Sequence, residues 1–126
     1  MTNDEYIKEW IAKADKDIKT VEIMKEIEDV TEIVCFHCQQ AVEKYLKTLL
    51  IANDIEFSKT HNIDFLLKKC MDINQDFKKF IGNSLSEYAV DTRYPDIRYI
   101  PTKDEMEEAI VLMYNIIELV NKTMNK

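Results

Sequence analysis

Apolar residues recur along this chain at intervals of three and four, and they do so over long stretches. Ile7, Trp10, Ile11, Ala14, Ile18, Val21 and Met24 form one such set, the spacing of a helix that turns one stripe towards a core. Thr2-Asn-Asp-Glu5 precedes it, with a hydroxyl at the cap position and a carboxylate three residues on. That pattern satisfies the free N–H groups of a helix start and predicts a helix of about 25 residues. Asp29-Val-Thr-Glu32 repeats it and predicts a second helix running to about Ala52. The link between the two is very short, so they are expected to lie antiparallel.

Beyond Ala52 the pattern breaks into shorter pieces. Asn53 to Lys59 is polar apart from Ile55 and Phe57 and reads as a connection. Thr60 is expected to cap a short helix carrying Ile63, Phe65, Leu66, Leu67 and Cys70. Asp72-Ile-Asn-Gln75 caps another, with Phe77, Phe80 and Ile81 on its apolar side and Gly82-Asn83 as its stop. Ser84 caps a further turn or two through Leu85, Tyr88 and Ala89. The run from Asp91 to Pro101 is irregular, because Pro95 and Pro101 push Tyr94 and Ile100 towards extended geometry. Thr102-Lys-Asp-Glu105 opens the last helix, which carries Met106, Ala109, Ile110, Met113, Ile116, Ile117 and Val120. The prediction is an all-α chain, an up-and-down four-helix bundle with an additional short helix, forming a single domain over residues 1–126.

Composition narrows the function classes. One glycine and two prolines in 126 residues are too few for strands joined by tight turns. A net charge of -7 argues against coating nucleic acid through a general positive field, while leaving room for a small basic site. The N-terminus is polar and acidic, and no apolar run approaches the ~20 residues that span a bilayer, so a cytoplasmic chain with no membrane contact is expected. Cys35, Cys38 and Cys70 are odd in number and fall inside helical patterns, which argues against a disulfide scaffold. Cys35 and His37 point to different sides of a helix and no second Cys/His pair follows, so no metal site is expected. A lone glycine cannot build a phosphate-cradling loop, and no cofactor is expected.

Three groups of residues carry candidate chemistry. At about 100° per residue, His37, Gln40, Lys44 and Lys47 fall in one narrow stripe of the second helix, opposite Val34, Cys38, Ala41, Val42, Tyr45 and Leu49. Two ammonium groups, an amide and an imidazole in a row suit an anion such as phosphate. The same spacing also suits a solvated face on which Glu43 pairs with Lys47 one turn on. In the irregular run, Arg93 and Arg98 have the fork geometry for phosphate, and Tyr94 and Tyr99 the rings to stack on a base. The alternative there is a structural plug, with arginine paired to carboxylate and tyrosines closing the bundle end. Lys59-Thr60-His61 combines a helix-start hydroxyl with an adjacent imidazole, either an anion site or an ordinary cap.

Taken together, these strings resemble the HEPN domain family, named for nucleotide binding in higher eukaryotes and prokaryotes. The resemblance rests on Trp10, Ala14 and Asp17, on Phe36-His-Cys-Gln-Gln-Ala-Val-Glu-Lys-Tyr-Leu-Lys47, on Lys59-Thr-His-Asn-Ile63, and on Tyr88 through Arg93-Tyr94-Pro95. It covers nearly the whole chain and implies a helical bundle. Many HEPN proteins are ribonucleases, usually homodimers, with an arginine followed after four to six residues by a histidine at the dimer cleft. Here Arg98, Tyr99 and Ile100 stand at those distances from Arg93, so the resemblance is to the branch lacking that motif. Other members act with a small nucleotidyltransferase encoded beside them, as a toxin–antitoxin pair or as its substrate-binding subunit.

The resulting expectation is a homodimeric binding module for a nucleotide, RNA or other phosphorylated ligand, paired with a small nucleotidyltransferase. His37, Gln40, Lys44, Lys47, His61, Arg93, Tyr94 and Arg98 are its candidate ligand-binding residues, and no catalytic residue is expected. An atypical ribonuclease using His37 or His61, and a purely structural protein-interaction module, are the two alternatives.

Overall fold

The computed structural model describes residues 2–83, 85 and 100–125, and every regular element among them is helical. Helix α1 spans Asn3–Met24, α2 Thr31–Ala52, α3 Ile63–Cys70 and α4 Lys103–Met124, with a 3₁₀ helix at Gln75–Phe80 between α3 and α4. The all-helical bundle expected from the apolar spacing is present. The residues expected to form a turn or two after Ser84, and the irregular run before Ile100, lie outside the described residues apart from Leu85.

Helix α2 is the hub and packs against α1, α3 and α4. Asn3 Nδ2 donates to Asp54 Oδ1, tying the start of α1 to the end of α2, so these two helices run antiparallel. Thr31 Oγ1 donates to Pro101 O at 2.7 Å, which sets the start of α2 beside the entry to α4. A helix packed on three sides keeps only a narrow wet face. Thirteen of its residues are buried, and Gln39, Glu43 and Lys47 are among them. The sequence pattern had one apolar side and one polar side on α2; the structure buries part of the polar side too, because α1 and the start of α3 close over it. Helix α1, by contrast, lies at the outside and buries only Ala14, Asp17 and Val21. The core beneath α2 is built from Leu46, Leu49, Leu50, Leu66, Leu67, Phe77, Met113 and Ile116, all fully enclosed.

The caps follow the expected logic at the outer helices and shift at the inner ones. Thr2 Oγ1 accepts the N–H of Glu5, and Thr102 with Glu105 forms a reciprocal capping box. Asp29 does not cap α2. Its backbone is left-handed (φ 64°), a conformation Asp tolerates in a tight turn, and α2 begins after Val30 with no side-chain cap. Thr60 does not cap α3 either. Its hydroxyl accepts the N–H of Asn62, and Asn62 Oδ1 then accepts that of Phe65. Asp72 is still inside the turn that closes α3, where the N–H groups of Ile73 and Asn74 return to Cys70 O. Asn74 takes over as the cap of the 3₁₀ helix. Helix α2 ends with Asp54 left-handed (φ 54°), with Ile55 N bonded back to Leu50 O and Asp54 N to Ile51 O, which satisfies its last carbonyls.

The three thiols are buried and unbridged. Burial alone pushes the Cys70 thiol up to about 12, and burial first, with Cys35 and Glu22 nearby, raises that of Cys38 well above its usual range. In the folded protein at mildly alkaline pH, an aromatic disulfide reagent should therefore label none of the three. After denaturation in guanidinium it should label all three. Rapid labelling of the native protein would contradict this packing.

Candidate functional site

Two buried carboxylates organise the polar stripe. Asp17 occupies a position on the inward stripe of α1, between Ala14 and Val21, where a side chain must meet α2. It is buried, and a buried carboxylate requires partners. Lys44 Nζ donates to its Oδ2 at 2.5 Å, and His37 Nδ1 lies 2.8 Å from its Oδ1. His37 and Lys44 are two turns apart on α2, so one carboxylate from α1 bridges both.

Glu43 is the second anchor and the more enclosed, with 4% of its side chain exposed. Gln39 Nε2 donates to its Oε1 at 2.9 Å and Lys47 Nζ to its Oε2 at 3.0 Å. His61 Nδ1, brought in from the approach to α3, lies 2.7 Å from Oε1. Gln39 Nε2 also reaches the His61 carbonyl, and Gln40 Nε2 donates to Gln39 Oε1 at 2.7 Å. Gln40 thus joins the network through its neighbour. The buried ammonium of Lys47 sits 5.6 Å from the centre of the Trp10 ring and 5.9 Å from that of Phe57, close enough for both π faces to help hold the charge. Beside the cluster, Tyr45 Oη donates to Asp15 Oδ1 at 2.7 Å; burial first, and that contact second, raise the phenol above its ordinary range.

Charge balance decides what this arrangement can attract. Each carboxylate faces one ammonium, so with neutral imidazoles Asp17 with Lys44 and Glu43 with Lys47 each sum to zero. The lysines are therefore internal counter-ions before they are phosphate hooks. What the cluster presents outward is imidazole. The His61 side chain is 69% exposed while its Nδ1 is held by Glu43. Such a carboxylate fixes the ring and its tautomer, leaving Nε2 for a ligand or a proton. Among the described residues, no buried side-chain nitrogen or oxygen lacks a partner, and no three His, Cys, Asp or Glu residues cluster as a metal site.

Of the candidate residues, the structure brings His37, Gln40, Lys44, Lys47 and His61 to one junction of α1, α2 and the approach to α3. Arg93, Tyr94 and Arg98 lie outside the described residues. Sequence reasoning did not give Asp17, Gln39 and Glu43 their organising roles. Asp17 carried a signal, since a carboxylate on the buried stripe of a helix needs a cation opposite.

Comparisons with known proteins bear on the family and the fold. The family described as "HEPN domain" matches residues 7–123. The Methanocaldococcus jannaschii protein named "Putative toxin MJ1304" is 27% identical over 94% of this chain and 88% of its own length. The crystal structure of ST0689, an archaeal HEPN homologue, superposes with a TM-score of 0.67 at 28% identity, covering 92% of this chain and 95% of that one.

Removing one partner of an enclosed ion pair leaves a buried charge unmatched, at a cost of roughly 3–5 kcal/mol. Glu43→Gln should lower the unfolding free energy by that order in urea denaturation. Adding Lys47→Met to the same variant should recover most of the loss, because the orphaned ammonium is then gone. A Glu43→Gln protein as stable as the parent would show that the pair is not enclosed.

Proposed function

Since the chain belongs to the HEPN domain family, we propose that it is the toxin-like member of a two-protein module, binding the phosphate of a nucleotide or RNA and acting with a small nucleotidyltransferase. The observation that carries this reading is the convergence of His37, Gln40, Lys44 and His61 on one polar face, their side chains fixed by Asp17, Gln39 and Glu43. Preorganised donors bind an anion at a lower entropic cost than free side chains do. The relative named as a toxin, similar along most of both chains, supports the toxin part of this reading. Arg93 and Arg98 would supply guanidinium forks to the phosphate, and Tyr94 a ring to stack on the base. A second copy of the chain would complete the binding unit.

One feature favours the ribonuclease alternative. The Glu43–His61 pair has the form of an acid–base group, with a carboxylate on Nδ1 and an exposed ring. Calorimetry with ATP, GTP and a short RNA, run beside incubation with tRNA, separates the readings. The binding module predicts heat with at least one ligand, intact tRNA, and about tenfold weaker binding in His61→Ala, the worth of one charge-assisted hydrogen bond. Absence of heat with all three ligands at high concentration removes the nucleotide claim. Cleavage of tRNA that disappears in His61→Ala transfers the reading to the enzyme.

A further inference from the structure

At the end of the bundle where α1 turns into α2, the chain leaves a cavity of about 540 Å³. Its apolar lining is Ile27, Ile100, Pro101 and Met106. Ile27 is 50% exposed and Ile100 58% exposed, an arrangement that leaves large aliphatic surface in water. The two walls are fixed to each other, because Thr31 Oγ1 on the α2 side donates to Pro101 O on the α4 side.

The rim is acidic. Glu26, Glu28, Asp29 and Glu32 line it, against Lys25 and Lys103. Lys25 is already committed to Glu22 outside the cavity, at 2.8 Å. Among the described lining residues, four carboxylates stand against two ammonium groups, one of which is shared with Glu22. A slot with an aliphatic floor and a carboxylate rim repels nucleic acid and favours cations attached to apolar groups.

We propose that this cavity is a docking slot for a basic amphipathic segment of a partner protein. Such a segment would seat a leucine-like side chain between Ile27, Ile100 and Met106. Its lysines or arginines would lie against Glu28, Asp29 and Glu32. Helix-in-groove recognition uses this combination of apolar anchor and charged flank. The slot is at a different place on the bundle from the α2 polar face, and the inference holds whatever that face binds.

Fluorescence anisotropy with two synthetic peptides tests it. Both carry leucines at helical spacing; one has lysines at the remaining positions and the other glutamates. The full chain should bind the lysine peptide, less tightly as salt is raised, and should not bind the glutamate peptide. The double variant Glu28→Lys, Glu32→Lys should weaken binding by about tenfold or more, and Ile100→Ser should weaken it without changing its salt dependence. The double variant Glu9→Lys, Glu56→Lys makes the same change in net charge on exposed residues outside the cavity lining and should bind like the parent. No binding of the lysine peptide, equal binding of the glutamate peptide, or equal weakening by the Glu9/Glu56 variant would each overturn the proposal.

Discussion

A carboxylate with almost no access to water must be matched by donors close at hand, and Glu43 sets that requirement at the centre of this protein. It lies on the most enclosed helix and draws in an amide from its own helix, an ammonium one turn on, and an imidazole from the approach to α3. Each contact fixes a different part of the chain. Lys47 is held under Trp10 of α1 and Phe57 of the following loop. His61 is held where α3 starts, through the ring and through its own carbonyl. Hydrophobic burial supplies the bulk of the drive to fold, but it is non-directional. The Glu43 and Asp17 clusters set how α1 and the start of α3 lie along α2.

This construction changes what a row of cations means. On an exposed helix, two lysines and a histidine in line would form a positive stripe. Here each lysine is neutralised by a carboxylate reaching it from α1 or from its own helix. The stripe is thereby converted from a source of charge into a fixed array of hydrogen-bonding groups, with the His61 ring as its most accessible element. An acidic chain of net charge -7 can in this way keep a polar, hydrogen-bonding face without acting as a general polyanion binder. The face rests on the same contacts that hold the helices together.

Much of the fold was legible in the spacing of apolar residues. The extents of α1, α2 and α4 follow from runs at three and four, and Thr2 and Thr102 mark two starts by chemistry alone. The inner boundaries were less legible. Asp29, Thr60 and Asp72 each satisfy a local capping pattern, but tertiary contacts and turn geometry decided those positions instead. Thr31 spends its hydroxyl on Pro101, and Asn62 and Asn74 sit closer to the first free N–H groups. The site was half legible. The stripe on α2 and the imidazole of His61 stand out by residue type. Their counter-ions do not, because Glu43 looks like a surface partner of Lys47 until α1 and α3 cover it, and the 20-residue separation of Asp17 from His37 is bridged only by the antiparallel packing of two helices.

The central claim, that Asp17 and Glu43 fix the imidazoles of the α2 face, is tested most directly by the nitrogen-15 spectrum of the two histidine rings. Both contacts are made through Nδ1 to a carboxylate oxygen, so in each ring Nδ1 must carry a proton. The account predicts protonated-type Nδ1 shifts for His37 and His61 near neutral pH, each lost when its own carboxylate is replaced by Ala. An Nδ1 with the shift of an unprotonated ring nitrogen in either residue would contradict it.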